Sequence, residues 1–315
     1  MTLPSRETTF SFDETDEARN CLFAIPKKGR LFDKVSKILA GTGLDFVRPN
    51  RLDIAHCTSL PITLVFLPAA DIPAYVSEGN VDIGITGQDV VKEHGCDVEE
   101  ILPLGFGGCK LCVQAPVKDN VTDVSSLAGK RIVTSFPNIA KEFFDKLDQA
   151  GDKTSIKYAS GSVEAACSLG LADAVVDLVE TGTTMKAAGL EVVAEIMKTE
   201  AVLVSNKQCR HPEMVKTIKK RIVGYMTATS FVMITYNVSK ADLPKCLEIT
   251  PGKRAPSVSP LLMDVEGGKG KGDPQEEWMA VSALIKTKES SRIMDEIESC
   301  GATDILIFTI MNSRI

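Results

Sequence analysis

The sequence predicts an α/β protein of two parallel-sheet lobes followed by a small plait of β-α-β-β-α-β order. Three observations lead there. Apolar, β-branched runs of strand length alternate with amphipathic helical patterns across residues 22–204, the rhythm of sheets covered by helices on both faces. A strand followed by Thr-Gly and a helix start occurs twice, at Thr86-Gly87 and at Thr181-Gly182. After about residue 225 the rhythm changes, with strands following one another more closely. Composition agrees, because 44% hydrophobic with only 5% aromatic residues calls for a core of aliphatic side chains.

Residues 22–25 form a short buried-type strand and 26–30 a basic loop with Lys27, Lys28 and Arg30. Leu31, Phe32, Val35, Ile38 and Leu39 then fall on one helix face, which Gly41 and Gly43 end. The strand 62–66 leads to Asp71, a natural N-cap for a helix over 74–78. The strand 81–85 runs into Thr86-Gly87-Gln88-Asp89 and a helix from Val90. Strands follow at 111–115, 130–134, 156–158 and 174–179, with Ser125-Ser126 opening a short helix and helices over 139–147 and 163–169 between them. The run 201–204 returns to the first lobe. The lobes are therefore expected over 1–116 with 202–224, and over 117–201. A helix over 214–226 leaves them. Strands 231–238, 257–263, 278–286 and 304–310, with helices 240–247 and 289–300, complete a third domain over 225–315.

Net charge is −6, from 36 Lys plus Arg against 42 Asp plus Glu, so no overall positive field attracts nucleic acid. No window approaches eighteen consecutive apolar residues, and residues 1–20 are polar and acidic, so a cytoplasmic protein without a membrane partner is expected. Nine cysteines scattered through apolar stretches fit reduced thiols. Cys109 and Cys112 stand three apart in a strand, on opposite faces, and cannot share a zinc ion. The loop 266–273, rich in Gly and Lys, lacks the Gly-Lys-Ser/Thr ending of a phosphate loop and reads as a solvated hairpin connection.

Most chemistry is concentrated in residues 175–185, V-V-D-L-V-E-T-G-T-T-M. Hydroxyls and a glycine at a helix N-terminus, where backbone N–H groups lack partners, form an anion cradle. Asp177 and Glu180 upstream suit sugar hydroxyls or a hydrated magnesium ion, so together the stretch suggests a ribose phosphate.

The longer frame 164–185, E-A-A-C-S-L-G-L-A-D-A-V-V-D-L-V-E-T-G-T-T-M, resembles the signature of the ATP phosphoribosyltransferase family. The resemblance extends to residues 24–31, 66–73, 81–87, Thr250-Pro251-Gly252 and Ala255-Pro256. It implies a two-lobe body like the type II periplasmic binding proteins, with a C-terminal ferredoxin-like (ACT/PII-like) regulatory domain. It also implies transfer of the phosphoribosyl group of 5-phosphoribosyl 1-pyrophosphate to N1 of ATP, with Mg²⁺, and inhibition by histidine in a homo-hexamer. By the same resemblance Thr181, Gly182, Thr183 and Thr184 hold the 5-phosphate, and Asp177 and Glu180 act at the ribose, Asp177 also as a magnesium ligand. Lys28, Arg30, Arg51 and Asp71 lie on the ATP side, and Asn237, Ser257 and Ala302 line the histidine site. The family more often has Asp and Thr where Asn237 and Ser257 stand. The rival from another class is a solute-binding sensor of the same architecture without chemistry.

Overall fold

The computed structural model describes residues 20–48, 52–149, 153–261 and 277–314. Two compact units emerge. One holds the residues up to Lys37 together with Leu44–Lys219, and the other holds Ile38–Gly43 with Lys220–Ile315.

The first unit contains both lobes. Its elements begin with β1 (Cys21–Pro26), α1 (Arg30–Gly41, whose end falls in the second unit), β2 (Ile54–His56), β3 (Ile62–Leu67), α2 (Ile72–Ser77), β4 (Ile83–Gly87), α3 (Gln88–His94) and β5 (Val98–Pro103). Then come β6 (Cys109–Pro116), β7 (Arg131–Thr134), α4 (Pro137–Phe144), β8 (Ser155–Tyr158), α5 (Ala165–Ser168), β9 (Ala174–Val179), α6 (Thr183–Ala187), β10 (Leu190–Thr199) and β11 (Ala201–Asn206). The first sheet has the order β2-β3-β1-β4-β11-β5 and the second β10-β6-β9-β7-β8. Each has three neighbouring parallel strands, β3-β1-β4 inside the first and β9-β7-β8 at one edge of the second.

The sheets are mixed rather than purely parallel. β11 joins β4 antiparallel, and β6 joins β9 antiparallel. Both arrive from the other lobe through short connections, too short for the crossover helix that a parallel partner requires. The strand Cys109–Pro116 consequently belongs to the second sheet, which moves the first crossing from the expected position near residue 116 back to 104–108. The run Ala201–Asn206 does return to the first sheet as expected. β5 and β10 were not anticipated: both are edge strands that carry exposed charged residues, such as Glu99-Glu100 and Glu195.

Helix boundaries also shift. α2 starts at Ile72 rather than Ala74, and Ser125-Ser126 sits in a single 3₁₀ turn, Val124–Leu127, where the Asp123 carboxylate accepts from Ser125 N–H at 2.9 Å. Gly84 lets α2 approach β4 closely, since a Cβ there would lie 2.4 Å from Ile72 Cγ2. The second lobe's core packs Leu111, Val113, Ile132 and Val176 against Ile139, Ala140 and Phe144 of α4.

The second unit carries α7 (Pro212–Ser230) from Lys220 onward, then β12 (Phe231–Ser239), α8 (Leu243–Ile249), β13 (Ser257–Pro260), β14 (Trp278–Lys286), α9 (Ser290–Ser299) and β15 (Thr303–Thr309). Its sheet order, β13-β14-β12-β15, is antiparallel throughout, the ferredoxin-like plait. Val281, Ala283 and Ile285 face the core with Ile293 and Ile297 of α9, while Leu306 and Phe308 remain about half exposed on the opposite face at 54% and 53%. Buried Tyr236 shares a 2.7 Å hydrogen bond with Thr250, tying the Thr250-Pro251-Gly252 turn to the sheet. The loop 266–273 lies outside the described residues.

Candidate functional site

The parallel strands of both lobes end at the loops that the sequence marks as chemical. β1 delivers the basic loop and β3 delivers Asp71. Lys27 is engaged with Asp53 at 2.7 Å, and Arg48 reaches the same carboxylate at 3.1 Å. The Lys27 hydrogen bond, followed by its charge and the bonds and charge of Arg48, holds the Asp53 carboxyl below its ordinary range. Lys28 and Arg30 are exposed. Arg51 lies outside the described residues.

Asp71 occupies the N-cap position of α2 but does not cap it, contrary to expectation. Its backbone is helical (φ −89°, ψ −21°), whereas a capping side chain needs an extended residue, and Pro73 removes one N–H it would have received. The exposed carboxylate is therefore not spent on the helix.

In the second lobe β9 carries Asp177 and leads to Glu180, then to Thr181, Gly182 and α6. Gly182 adopts φ 75°, a left-handed conformation that suits glycine, and no side chain caps α6. Thr181, Thr183 and Thr184 are exposed, and the Thr181 and Thr183 hydroxyls lie 3.0 Å apart. Asp177 is partly buried and accepts from Leu178 N–H at 2.8 Å. Burial, chiefly, pushes its carboxyl above the ordinary range; the Leu178 bond opposes this and the Glu164 charge adds to it.

Arg30 of the first lobe meets Glu180 of the second at 2.8 Å. Two residues 150 apart in sequence, assigned to opposite substrates, are thus brought together. A cavity of about 460 Å³ adjoins them, lined by Gln88, Cys109, Lys110, Glu180, Lys198 and Thr199 among others.

The Thr86-Gly87 loop, expected to repeat the phosphate device, does not. Thr86 is fully buried and donates to Ala69 C=O at 2.8 Å. Gly87 is extended (φ −88°), and the buried Asp89 carboxylate sits at the start of α3, where its Oδ1 accepts from the Thr199 hydroxyl at 2.7 Å. The far end of α3 is equally committed: buried Glu93 accepts from Asn138 N–H at 2.9 Å and Ile139 N–H at 3.0 Å, the first N–H groups of α4. α3 thus pins the two lobes together. Neither Asp89 nor Glu93 was singled out by sequence; their partners lie 110 and about 45 residues away.

In the second unit Asn237 donates to Asp304 at 2.9 Å and pairs in register with Thr303, next to Ala302. Ala302 borders a cavity of about 630 Å³ with Asp295, Glu298 and Asp304. Ser257 borders another, of about 440 Å³, with Lys253, Arg254 and Ser282. The expected histidine triad is therefore not gathered in one pocket of one chain. Ser257 pairs with Ser282, which pairs with Thr235 and so with Leu306 of β15; that row is displaced from Asn237, and β13 lies at the sheet edge opposite β15.

Fold and site together are those of a two-lobe α/β protein whose lobes bring a basic loop and an open Thr-Gly-Thr-Thr helix start to one cleft. Residues 68–224 match the family model "HisG: ATP phosphoribosyltransferase", and residues 228–312 match that of the HisG C-terminal domain. The chain is 50% identical over 297 residues to the ATP phosphoribosyltransferase of Yarrowia lipolytica, spanning 93% of this chain and 96% of that one. The Saccharomyces cerevisiae ATP phosphoribosyltransferase is 48% identical over 298 residues with the same coverage. A solved ATP phosphoribosyl transferase (HisG:HisZ) complex from Thermotoga maritima matches with a TM-score of 0.55 at 29% identity, over 64% of this chain and 98% of that one. The chain belongs to the ATP phosphoribosyltransferase family, in the form with the additional C-terminal domain.

Proposed function

We propose that the cleft between the lobes joins ATP to 5-phosphoribosyl 1-pyrophosphate, forming 1-(5-phosphoribosyl)-ATP and pyrophosphate, the first step of L-histidine biosynthesis. The observation that carries this reading is the Arg30–Glu180 ion pair, because it sets a basic loop of one lobe against the acidic approach to the other lobe's open phosphate loop. Thr181, Gly182, Thr183 and Thr184 hold the 5-phosphate through hydroxyls and helix-end N–H groups. Asp177 and Glu180 face the ribose hydroxyls, and Lys28, Arg30 and Asp71 take the ATP side, with Arg51 assigned there by resemblance alone.

Adenine N1 attacks the anomeric carbon as the bond from that carbon to the pyrophosphate oxygen breaks. N1 offers a free lone pair at neutral pH, so no side chain has to remove a proton. Catalysis then rests on alignment and on charge: carboxylates beside the developing cation of the ribose, cations beside the departing pyrophosphate. Arg30, paired with Glu180 in the free enzyme, exchanges that partner for substrate phosphate. Magnesium, when bound, neutralises pyrophosphate charge. Among the described residues no three His, Cys, Asp or Glu side chains gather for a metal ion. Asp177 and Glu180 supply the one or two carboxylates that suffice for a magnesium ion arriving on substrate phosphates.

Regulation by histidine and a homo-hexameric assembly belong to the same proposal. The half-exposed Leu306 and Phe308 favour a partner on the open sheet face, and the separation of Ser257 from Ala302 favours a histidine site completed by a second copy. Free thiols at all nine cysteines agree with a reducing, cytoplasmic location. The test is turnover of ATP and 5-phosphoribosyl 1-pyrophosphate, followed by the ultraviolet absorbance change at the modified adenine, with and without histidine. Magnesium-dependent formation of the adduct is expected; no turnover by a folded preparation overturns the reading.

A further inference from the structure

β6 and β10 form the floor beneath the cleft, and their register places Lys110 directly opposite Lys198. Like charges in that relation repel, since the Cβ atoms of facing residues lie about 5 Å apart. Only one of the two has an ion-pair partner. Lys110 is bound to Glu195 at 2.5 Å, whereas Lys198 makes no ion pair within 4.0 Å among the described residues. The Glu195 carboxyl is held below its ordinary range, first by the Lys110 hydrogen bond, with the charges of Lys110 and Lys198 adding to it, so one carboxylate serves two cations.

Both lysines line the cavity of about 460 Å³ that also holds Glu180 and Glu200. Neither carboxylate is paired with Lys198: Glu180 is engaged by Arg30, and Glu200 accepts from Gly105 N–H at 2.8 Å. The next residue pair along the strands, Cys109 and Thr199, is fixed through the Thr199–Asp89 bond to α3. The lysine pair therefore stands on a strand floor beside the proposed reaction centre, with Lys198 left without an ion-pair partner among the described residues.

We propose that Lys110 and Lys198 form a seat for linked phosphates at the cleft floor, receiving either the leaving pyrophosphate or the triphosphate of ATP. The inference rests on the proposed reaction for the identity of those ligands. A seat with lysines and two nearby carboxylates suits a diphosphate that carries magnesium better than a bare phosphate. These are positioning residues: they hold the charged end of a substrate or product while the loops at the strand ends hold the reacting carbon.

The experiment is calorimetric titration of the full-length enzyme with pyrophosphate and with ATP, in magnesium, beside steady-state kinetics. Lys198→Met keeps the aliphatic stem and removes the charge, and should weaken pyrophosphate at least tenfold while ribose 5-phosphate binds as before. Lys198→Arg should restore it. Glu195→Gln frees Lys110 and should tighten pyrophosphate several-fold, an effect opposite to that of general damage. If the seat serves ATP, KM for ATP rises in Lys198→Met; if it serves the leaving group, inhibition by pyrophosphate weakens and KM for ATP stays. Unchanged pyrophosphate and ATP binding in both Lys198→Met and Glu195→Gln would overturn the seat. Failure of the parent enzyme to turn over its substrates is a separate result, and would count against the reaction rather than against a diphosphate site measured by binding.

Discussion

The two Thr-Gly loops have nearly the same spelling and opposite fates. Thr86-Gly87-Gln88-Asp89 and Thr181-Gly182-Thr183-Thr184 each stand where a sheet strand gives way to a helix, although Thr86 and Gly87 are the last residues of β4 itself whereas Thr181 and Gly182 come after β9. In the first, the helix receives an anion from its own chain: Asp89 is buried there, locked to Thr199, and Thr86 is turned inward to Ala69. In the second, Thr184 stands where Asp89 stands, the glycine is left-handed, and the hydroxyls face solvent. A loop whose own chain supplies the anion has no room for an external one. The closed loop gains a different role, fixing α3 as the joint between lobes.

The largest effect should come from emptying the open loop. Thr183→Ala with Thr184→Ala removes two hydroxyl donors to a charged phosphate, worth together about 3 to 6 kcal/mol. kcat/KM for 5-phosphoribosyl 1-pyrophosphate should fall roughly a hundred- to ten-thousand-fold with the melting temperature unchanged. Wild-type kinetics in that variant would remove the phosphate from the loop.

Damage to the joint should instead appear as stability. Glu93→Ala leaves two N–H groups of α4 without their charged acceptor, a loss of about 3 kcal/mol in urea unfolding. A midpoint equal to the parent's would show that the contact contributes nothing. Thr86→Val is the counterpart of the double alanine variant in the closed loop. It should cost about 1 to 2 kcal/mol of stability and leave the KM for 5-phosphoribosyl 1-pyrophosphate alone. A selective rise in that KM would mean the two loops are alike after all.

How much of this was legible follows from the range of the interactions involved. The buried parallel strands, the open loop and the plait are written in local pattern and are found within a few residues of where the sequence places them, β4 two residues later than expected. β5 and β10 escaped because edge strands carry exposed charged residues such as Glu99 and Glu195 that read as loop. Asp71 has the composition of a cap but a helical backbone, which its residue type does not disclose. Asp89 and Glu93 look like ordinary helix-surface acids until Thr199 and Asn138 arrive from the other lobe. Ser257 was grouped with Ala302 by resemblance, and only the strand register separates them within a chain.

The smallest stability effect is expected at Asp177. Its carboxyl is raised mainly by burial, so the ionised form is disfavoured by folding. The sign follows: the folded state is favoured most at low pH, and that advantage is lost as pH rises from the ordinary carboxylate value through the raised one. Asp177→Asn cannot ionise. It should melt at or slightly above the parent at pH 7, with the difference vanishing below the ordinary carboxylate range, while turnover is lost. A clear drop in melting temperature at pH 7 would show a structural role for the charge instead.

The loop comparison can be tested by exchanging its deciding residue. Thr184→Asp gives the open loop the internal carboxylate that Asp89 gives the closed one. Titration of this variant with 5-phosphoribosyl 1-pyrophosphate should show binding abolished, with the fold and melting temperature retained. Binding at the parent's affinity would contradict the assignment of the phosphate to this loop.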